Sequence, residues 1–242
     1  MFDSPWIAAG IALFAWWFFT GAILVAARRV DRDGPQTRLH AVFWGAPVAI
    51  VGGIGFTNTL NNESIWAVYV AFFSALAIWG WIELTFLTGV ITGPVRGERR
   101  KDAPEWERFI RAWGTIAYHE MLLAFTLLIM MGVGYGHANQ FGVWTFAILF
   151  AARVSAKLNL YLGVPKINTE FIPQALHHLP SHFRAAQMNW LFPVSVTAAG
   201  VAGFALLAAL TALALLEHWF LVLSLGDEKL WRWMLPKRAA SP

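Results

Sequence analysis

The sequence predicts an all-α protein, a polytopic helical bundle that is integral to a membrane. Of its 242 residues, 58% are hydrophobic and only 13% are charged, about half the charged share of roughly 25% found in soluble domains. Apolar runs of about 20 residues, the length at which a helix crosses a bilayer, recur along the chain. So much apolar surface has to face lipid, and we expect one transmembrane domain over residues 1–242.

Six runs are long enough to cross the membrane, and each is predicted to be a helix because backbone groups in lipid must bond internally. A run with several charges and tryptophans, Glu217–Met234, is predicted to be an interfacial or seventh helix. The predicted spans are Pro5–Ala27, Leu39–Leu60, Ile65–Gly93, Trp113–Gly136, Gln140–Gly163 and Trp190–Leu216.

The ends of the spans carry further information. No positive charge precedes the first span, and Arg28 and Arg29 follow it, so it is predicted to stay in the membrane rather than to be removed as a signal peptide. Small residues predict that the sixth span packs closely against another helix, since they allow backbones to approach. These residues are Ala198, Ala199, Gly200, Ala202 and Gly203.

The basic residues predict the orientation of the protein in the membrane. Twelve of its 18 lysines and arginines lie in three loops, near residues 28–38, 94–112 and 164–188. Because basic loops stay in the cytoplasm, these loops are predicted to be cytoplasmic and the N-terminus to lie outside. One feature disagrees: six spans place the C-terminal tail outside, although it contains Lys229, Arg232, Lys237 and Arg238.

Composition and motifs exclude several functional classes. The absence of cysteine rules out disulfides, thiolate metal sites, iron–sulfur clusters and cysteine nucleophiles. The basic residues lie beside spans, where topology accounts for them, so no nucleic-acid partner is predicted. No phosphate-binding glycine loop, serine nucleophile elbow or pair of catalytic carboxylates is present. Enzymatic activity is left open, and any chemistry would depend on a bound cofactor.

Five ionisable side chains lie within the predicted spans, where a charge costs about 2.5–3.5 kcal/mol at the helix centre. Glu83 is placed roughly 6 Å to the cytoplasmic side of its span's middle, and His119 and Glu120 about 7–8 Å to the same side. Arg153 and Lys157 are four residues apart and share one face of the fifth span. All five are predicted to meet in one layer, where opposite charges can pair.

Two interpretations of this layer remain open. The first is structural, since a buried ion pair specifies an arrangement of helices even when it adds little stability. The second is a polar pocket that opens to the cytoplasmic leaflet and leaves His119 free to bind heme iron or a chlorophyll magnesium.

A group of three histidines, His177, His178 and His182, has a spacing that suggests a metal site at first sight. Pro180 stands between the last two, and proline in a helix interior breaks the turn that would align them. We therefore interpret the group as part of a solvated loop or an interfacial turn.

Several segments resemble the PuhE family, described as photosynthetic complex assembly proteins of purple and aerobic phototrophic bacteria. The strongest likeness is in Arg153–Pro165 (RVSAKLNLYLGVP) and Glu170–Pro173 (EFIP). Tyr118–Glu120 (YHE), Glu217–Leu223 (EHWFLVL) and Leu230–Trp233 (LWRW) are similar too. The resemblance covers nearly the whole chain, and the paired His177 and His178 depart from it.

This resemblance implies an inner-membrane factor or auxiliary subunit, encoded in a photosynthesis gene cluster. Such a protein would support assembly of the reaction centre with its light-harvesting complex, and bacteriochlorophyll supply. Its partners would be the lipid bilayer and reaction-centre or light-harvesting subunits or pigment-synthesis proteins. The alternative function is that of a heme- or pigment-binding membrane oxidoreductase.

Overall fold

The computed structural model describes residues 4–100, 102–187, 189–199 and 212. The all-α prediction is confirmed, since these residues form helices and no strand. Two short 3-10 helices, Gln174–Leu176 and Leu179–His182, lie between the last two α-helices. The α-helices are α1 (Pro5–Asp33), α2 (Thr37–Thr59), α3 (Ile65–Leu87), α4 (Glu105–Gly114), α5 (Ala117–Gly134), α6 (Phe141–Leu162) and α7 (Leu191–Ala199).

Five of these helices, α1, α2, α3, α5 and α6, are long and apolar enough to cross a membrane. They correspond to the first five predicted spans. Of the sixth predicted span the structure describes Trp190, α7 and residue 212. The small-residue pattern after Ala199 and the segment Glu217–Met234 lie outside the described residues.

Two of the predicted span boundaries are wrong. The third span was expected to run to Gly93, but α3 ends at Leu87, and Gly89 then turns the chain with a positive φ of 76°. The fourth was expected from Trp113, but the chain bends at Thr115 and Ile116 before α5 begins. Hydropathy alone does not detect either turn, because the residues that form them are themselves apolar or small.

Helix α3 lies at the centre of the bundle and packs against α1, α2, α5 and α6. Its contact with α2 is close, because a Cβ atom on Gly52 would lie only 2.8 Å from the carbonyl oxygen of Ser74. Phe72 and Ile82 of α3, Leu123 of α5 and Phe146 of α6 are fully buried. Large apolar side chains on α2 and α5 point outward, as expected for helices in lipid.

The loops at one end of the bundle fold together. This end, which we call the basic end, contains residues 88–116 and 163–190 and the C-terminus of α1. The backbone N–H of Arg99 donates to Ser181 Oγ at 2.9 Å, and that of Gln174 donates to Asp31 Oδ2 at 3.0 Å. A parallel bridge joins Val164 to Ala185.

The three loops that were predicted at this end contain more structure than expected. Residues 28–33 belong to α1 and residues 105–112 to α4, and the two 3-10 helices lie within residues 164–188.

Candidate functional site

The five ionisable side chains predicted to share a layer lie together where α3, α5 and α6 meet. Glu83 is one turn before the end of α3, and His119 and Glu120 are in the first turn of α5. These two helices run in opposite directions, so the end of one and the start of the other reach the same depth. Arg153 and Lys157 project from α6 toward both, because a spacing of four places them on one face.

Two ion pairs tie α6 to its neighbours. Arg153 Nη2 donates to Glu83 Oε2 at 2.8 Å, which links α6 to α3. Lys157 Nζ donates to Glu120 Oε1, which links α6 to α5. Glu83 is only 7% exposed, so its charge depends on Arg153 for compensation. Two acidic and two basic side chains thus surround the one histidine of the layer.

His119 occupies the centre of this network and is fully buried, with 0% exposure. Lys157 Nζ lies 3.2 Å from His119 Nδ1. Glu120 Oε1 is 3.5 Å from the same Nδ1, and the other ring nitrogen, Nε2, makes no hydrogen bond to the described part of the chain. That Nε2 is 3.6 Å from Glu83 Oε1. The histidine therefore connects the two ion pairs into one chain of polar groups.

An aromatic ring covers the network from one side. The centroid of the Phe86 ring is 4.4 Å from that of the His119 ring, and Lys157 Nζ lies 5.0 Å from the same Phe86 centroid. A cation at this distance from a ring face is attracted by the ring quadrupole, and more strongly where water is absent. Phe86 thus contributes both exclusion of water and a favourable contact for Lys157.

The backbone around His119 is held by a neighbouring loop. The N–H of His119 is near the start of α5, where it has no partner within the helix. The carbonyl of Thr92, in the loop that follows α3, accepts a hydrogen bond from it at 3.0 Å. The position of His119 consequently depends on the fold of residues 88–95 as well as on α5.

The geometry does not fit a tetrapyrrole bound through His119. An axial ligand needs an open side at one ring nitrogen, but Nδ1 faces Lys157 and Nε2 faces the Glu83 carboxylate. The ring has no exposed surface and stacks on Phe86. Within the described residues, no group of three or more histidine or acidic side chains is arranged to hold a metal ion.

The three loop histidines do not share one environment: a solvated loop does not describe two of them, and an interfacial turn stays a prediction. His177 is exposed, whereas His178 and His182 are only 2% and 3% exposed. His182 Nε2 lies 3.2 Å from the carbonyl oxygen of Gly97. Burial lowers the pKa of both His178 and His182, so both are held neutral where they pack under the loops.

Two polar contacts that no sequence pattern indicated hold the basic end together. Arg108 is buried and donates to Glu105 at 2.8 Å and to the carbonyl of Tyr161 at 2.9 Å. Asn189 donates from Nδ2 to the carbonyl of Gly163, just after α6, at 2.7 Å. The burial of Arg108 could not be predicted from the sequence, because it depends on Tyr161, which is distant in sequence.

Comparison with known sequences identifies the family. The chain matches the family described as "Protein of unknown function (DUF3623)" over residues 2–202 and 198–241. The chain belongs to this family. A relative from Rhodobacter capsulatus, named "Uncharacterized 30.4 kDa protein in puhA 5'region", is 48% identical over 252 residues. That alignment covers 97% of this chain and 92% of the relative. No solved structure matches the chain.

Proposed function

We propose that this protein is an inner-membrane factor or auxiliary subunit that supports assembly of the photosynthetic reaction centre and its light-harvesting complex. The observation that carries the proposal is the location of the Rhodobacter capsulatus relative, in the puhA region of the photosynthesis gene cluster. The resemblance of Arg153–Pro165 to the PuhE family supports the same role. A contribution to bacteriochlorophyll supply belongs to this proposal.

The arrangement of charges suits a role of this kind. The ionisable side chains of the layer pair with one another, so they hold α3, α5 and α6 in one arrangement. The outer sides of α2 and α5 present large apolar side chains, among them Phe43, Ile54, Phe125 and Leu128. In lipid, such faces are available to the helices of pigment-binding subunits through van der Waals packing.

A deletion strain tests the proposal. Without the gene, near-infrared absorption by the reaction centre and antenna should fall per cell, while respiratory growth is unchanged. Complementation with the wild-type gene should restore absorption, and Lys157→Ala should restore it only in part, because Glu120 loses its cation. Wild-type absorption in the deletion strain would contradict the proposal.

The alternative function, a heme- or pigment-binding membrane oxidoreductase, has a direct test. The absorption spectrum of the purified protein should contain a Soret band if a tetrapyrrole is bound. If His119 were its ligand, His119→Ala should abolish the band while Lys157→Ala retains it. The closed surroundings of His119 favour the assembly role over this alternative.

A further inference from the structure

Helix α4 has an apolar face that is largely exposed in the described part of the chain. Trp106, Phe109, Ile110 and Trp113 all have large exposed surfaces. Their spacing of i, i+3, i+4 and i+7 aligns them along one side of the helix. A soluble protein seldom exposes so large a contiguous apolar stripe without a partner for it.

The opposite side of α4 is fixed to the bundle. Arg108 reaches the carbonyl of Tyr161 at the end of α6, and its guanidinium lies 4.4 Å from the Tyr161 ring centroid. Phe109, at the edge of the apolar stripe, meets the same ring edge to face at 5.5 Å. Two residues after α4 the chain enters the span α5. The helix is therefore held at the boundary between the spans and the loops.

The loop that precedes α4 supplies positive charge beside this stripe. Arg96, Arg99 and Arg100 are exposed, and Arg100 lies 3.8 Å from Glu107 on α4. Clusters of basic residues next to a span are attracted to the negative surface of anionic lipids. The apolar stripe and the basic loop together form a surface with the two features of an interfacial amphipathic helix.

We propose that α4 is an interfacial anchor: its apolar face is immersed in the leaflet at the basic end, and the arginines before it bind anionic phospholipid headgroups. The occupant is lipid because the stripe lies at the depth where α5 enters the membrane and α6 leaves it, and aromatic side chains favour that depth. The proposal does not depend on the role in photosynthetic assembly.

The absence of cysteine from the sequence allows a direct test on the full-length protein. Single variants Phe109→Cys and Ile110→Cys, each carrying a spin label, are reconstituted in nanodiscs that contain phosphatidylglycerol. Leu128→Cys, exposed on the middle of α5, is the control in lipid, and Glu98→Cys, exposed in the loop, is the control in water. The measurement is the accessibility of each label to oxygen, which partitions into lipid, and to a water-soluble nickel chelate.

We expect the labels at positions 109 and 110 to resemble the one at position 128, with oxygen access several-fold above chelate access. Chelate access at both positions should rise when the lipid is changed to phosphatidylcholine. It should also rise when Arg96, Arg99 and Arg100 are changed to glutamine. Chelate access equal to that at position 98 would overturn the proposal by placing the stripe in water. Shielding of the labels from both reagents would overturn the proposal too, since protein would then cover the stripe. Equal immersion of the labels in the two lipids would refute the binding of anionic headgroups.

Discussion

At the level of single residues, Lys157 supports the fold by compensating Glu120 within the membrane. Removal of one partner of a buried ion pair leaves an uncompensated charge and costs about 3–5 kcal/mol. We therefore expect Lys157→Met to lower the free energy of unfolding by that amount, measured by thermal unfolding in nanodiscs. The exposed Arg29→Met is the matched control and should change stability by less than about 0.5 kcal/mol.

A double variant separates the charge effect from packing. Lys157→Met combined with Glu120→Gln removes both charges, so most of the lost stability should return. If the double variant is as unstable as the sum of the two single variants, the pair does not act as a unit and the description of the network is wrong.

The buried loop histidines predict a pH-dependent loosening of the basic end. Burial lowers the pKa of His178 and His182, and the nearby groups His177, Arg96, Arg99, Arg108 and Arg111 act in the same direction. A histidine whose pKa is lower in the folded state favours folding above its ordinary pKa of 6.5. Below about that pH the unfolded loop binds more protons, so stability falls as the pH falls.

Hydrogen exchange of residues 164–187 provides the measurement, corrected for the intrinsic pH dependence of exchange. We expect these amides to be less protected from exchange at pH 5.5 than at pH 7.5. His178→Gln and His182→Gln together should remove the pH dependence, whereas His177→Gln at the exposed position should leave it intact. Equal pH dependence in all three proteins would mean that other groups control the loop.

At the level of elements, the turn between α3 and α4 depends on a close backbone approach at Gly93. A Cβ atom there would collide with the carbonyl of Gly114, and a backbone atom cannot move aside by changing rotamer. At the same place, the N–H of Val95 donates a hydrogen bond to the Gly114 carbonyl at 3.1 Å. Gly93→Ala should therefore destabilise the protein by about 1–3 kcal/mol or more.

The matched control for this prediction is Gly97→Ala in the same loop. A Cβ atom at Gly97 would meet no atom within 4 Å, so we expect no measurable loss in thermal stability. Because Thr92 holds the backbone of His119, Gly93→Ala should also increase hydrogen exchange at the start of α5. Similar stability of the two variants would show that the loop adapts to the added methyl group.

The spans could be predicted because hydropathy is a property of the local sequence. The charged layer could be predicted because the depth of a side chain in the membrane follows from its position in a span. Helix α4 was missed, although its apolar stripe from Trp106 to Trp113 is visible in the sequence. The basic residues around it led to its interpretation as a polar loop. The burial of His178 and Arg108 had no comparable signal, since it arises from contacts with residues far away in sequence.

At the level of the whole molecule, charge divides the two ends of the bundle. The basic end, including the C-terminus of α1, contains most of the arginines, and its loops are joined by hydrogen bonds between residues as distant as Arg99 and Ser181. At the opposite end, residues 60–64 and 135–140 contain no lysine or arginine. There His137 Nδ1 lies 2.7 Å from Asn61 Oδ1, and Asn139 Nδ2 donates to the carbonyl of Asn62 at 3.0 Å.

This asymmetry predicts that the basic end is cytoplasmic and that the N-terminus is periplasmic. Arg100 and Asn62 are exposed at opposite ends, and single variants Arg100→Cys and Asn62→Cys in the cysteine-free chain report the orientation. A membrane-impermeant maleimide should label position 62 in cells with a permeabilised outer membrane, and position 100 only after the inner membrane is opened. The reverse pattern would invert the topology. It would also move the proposed α4 anchor to the periplasmic leaflet, because α4 and Arg100 belong to the same end of the bundle.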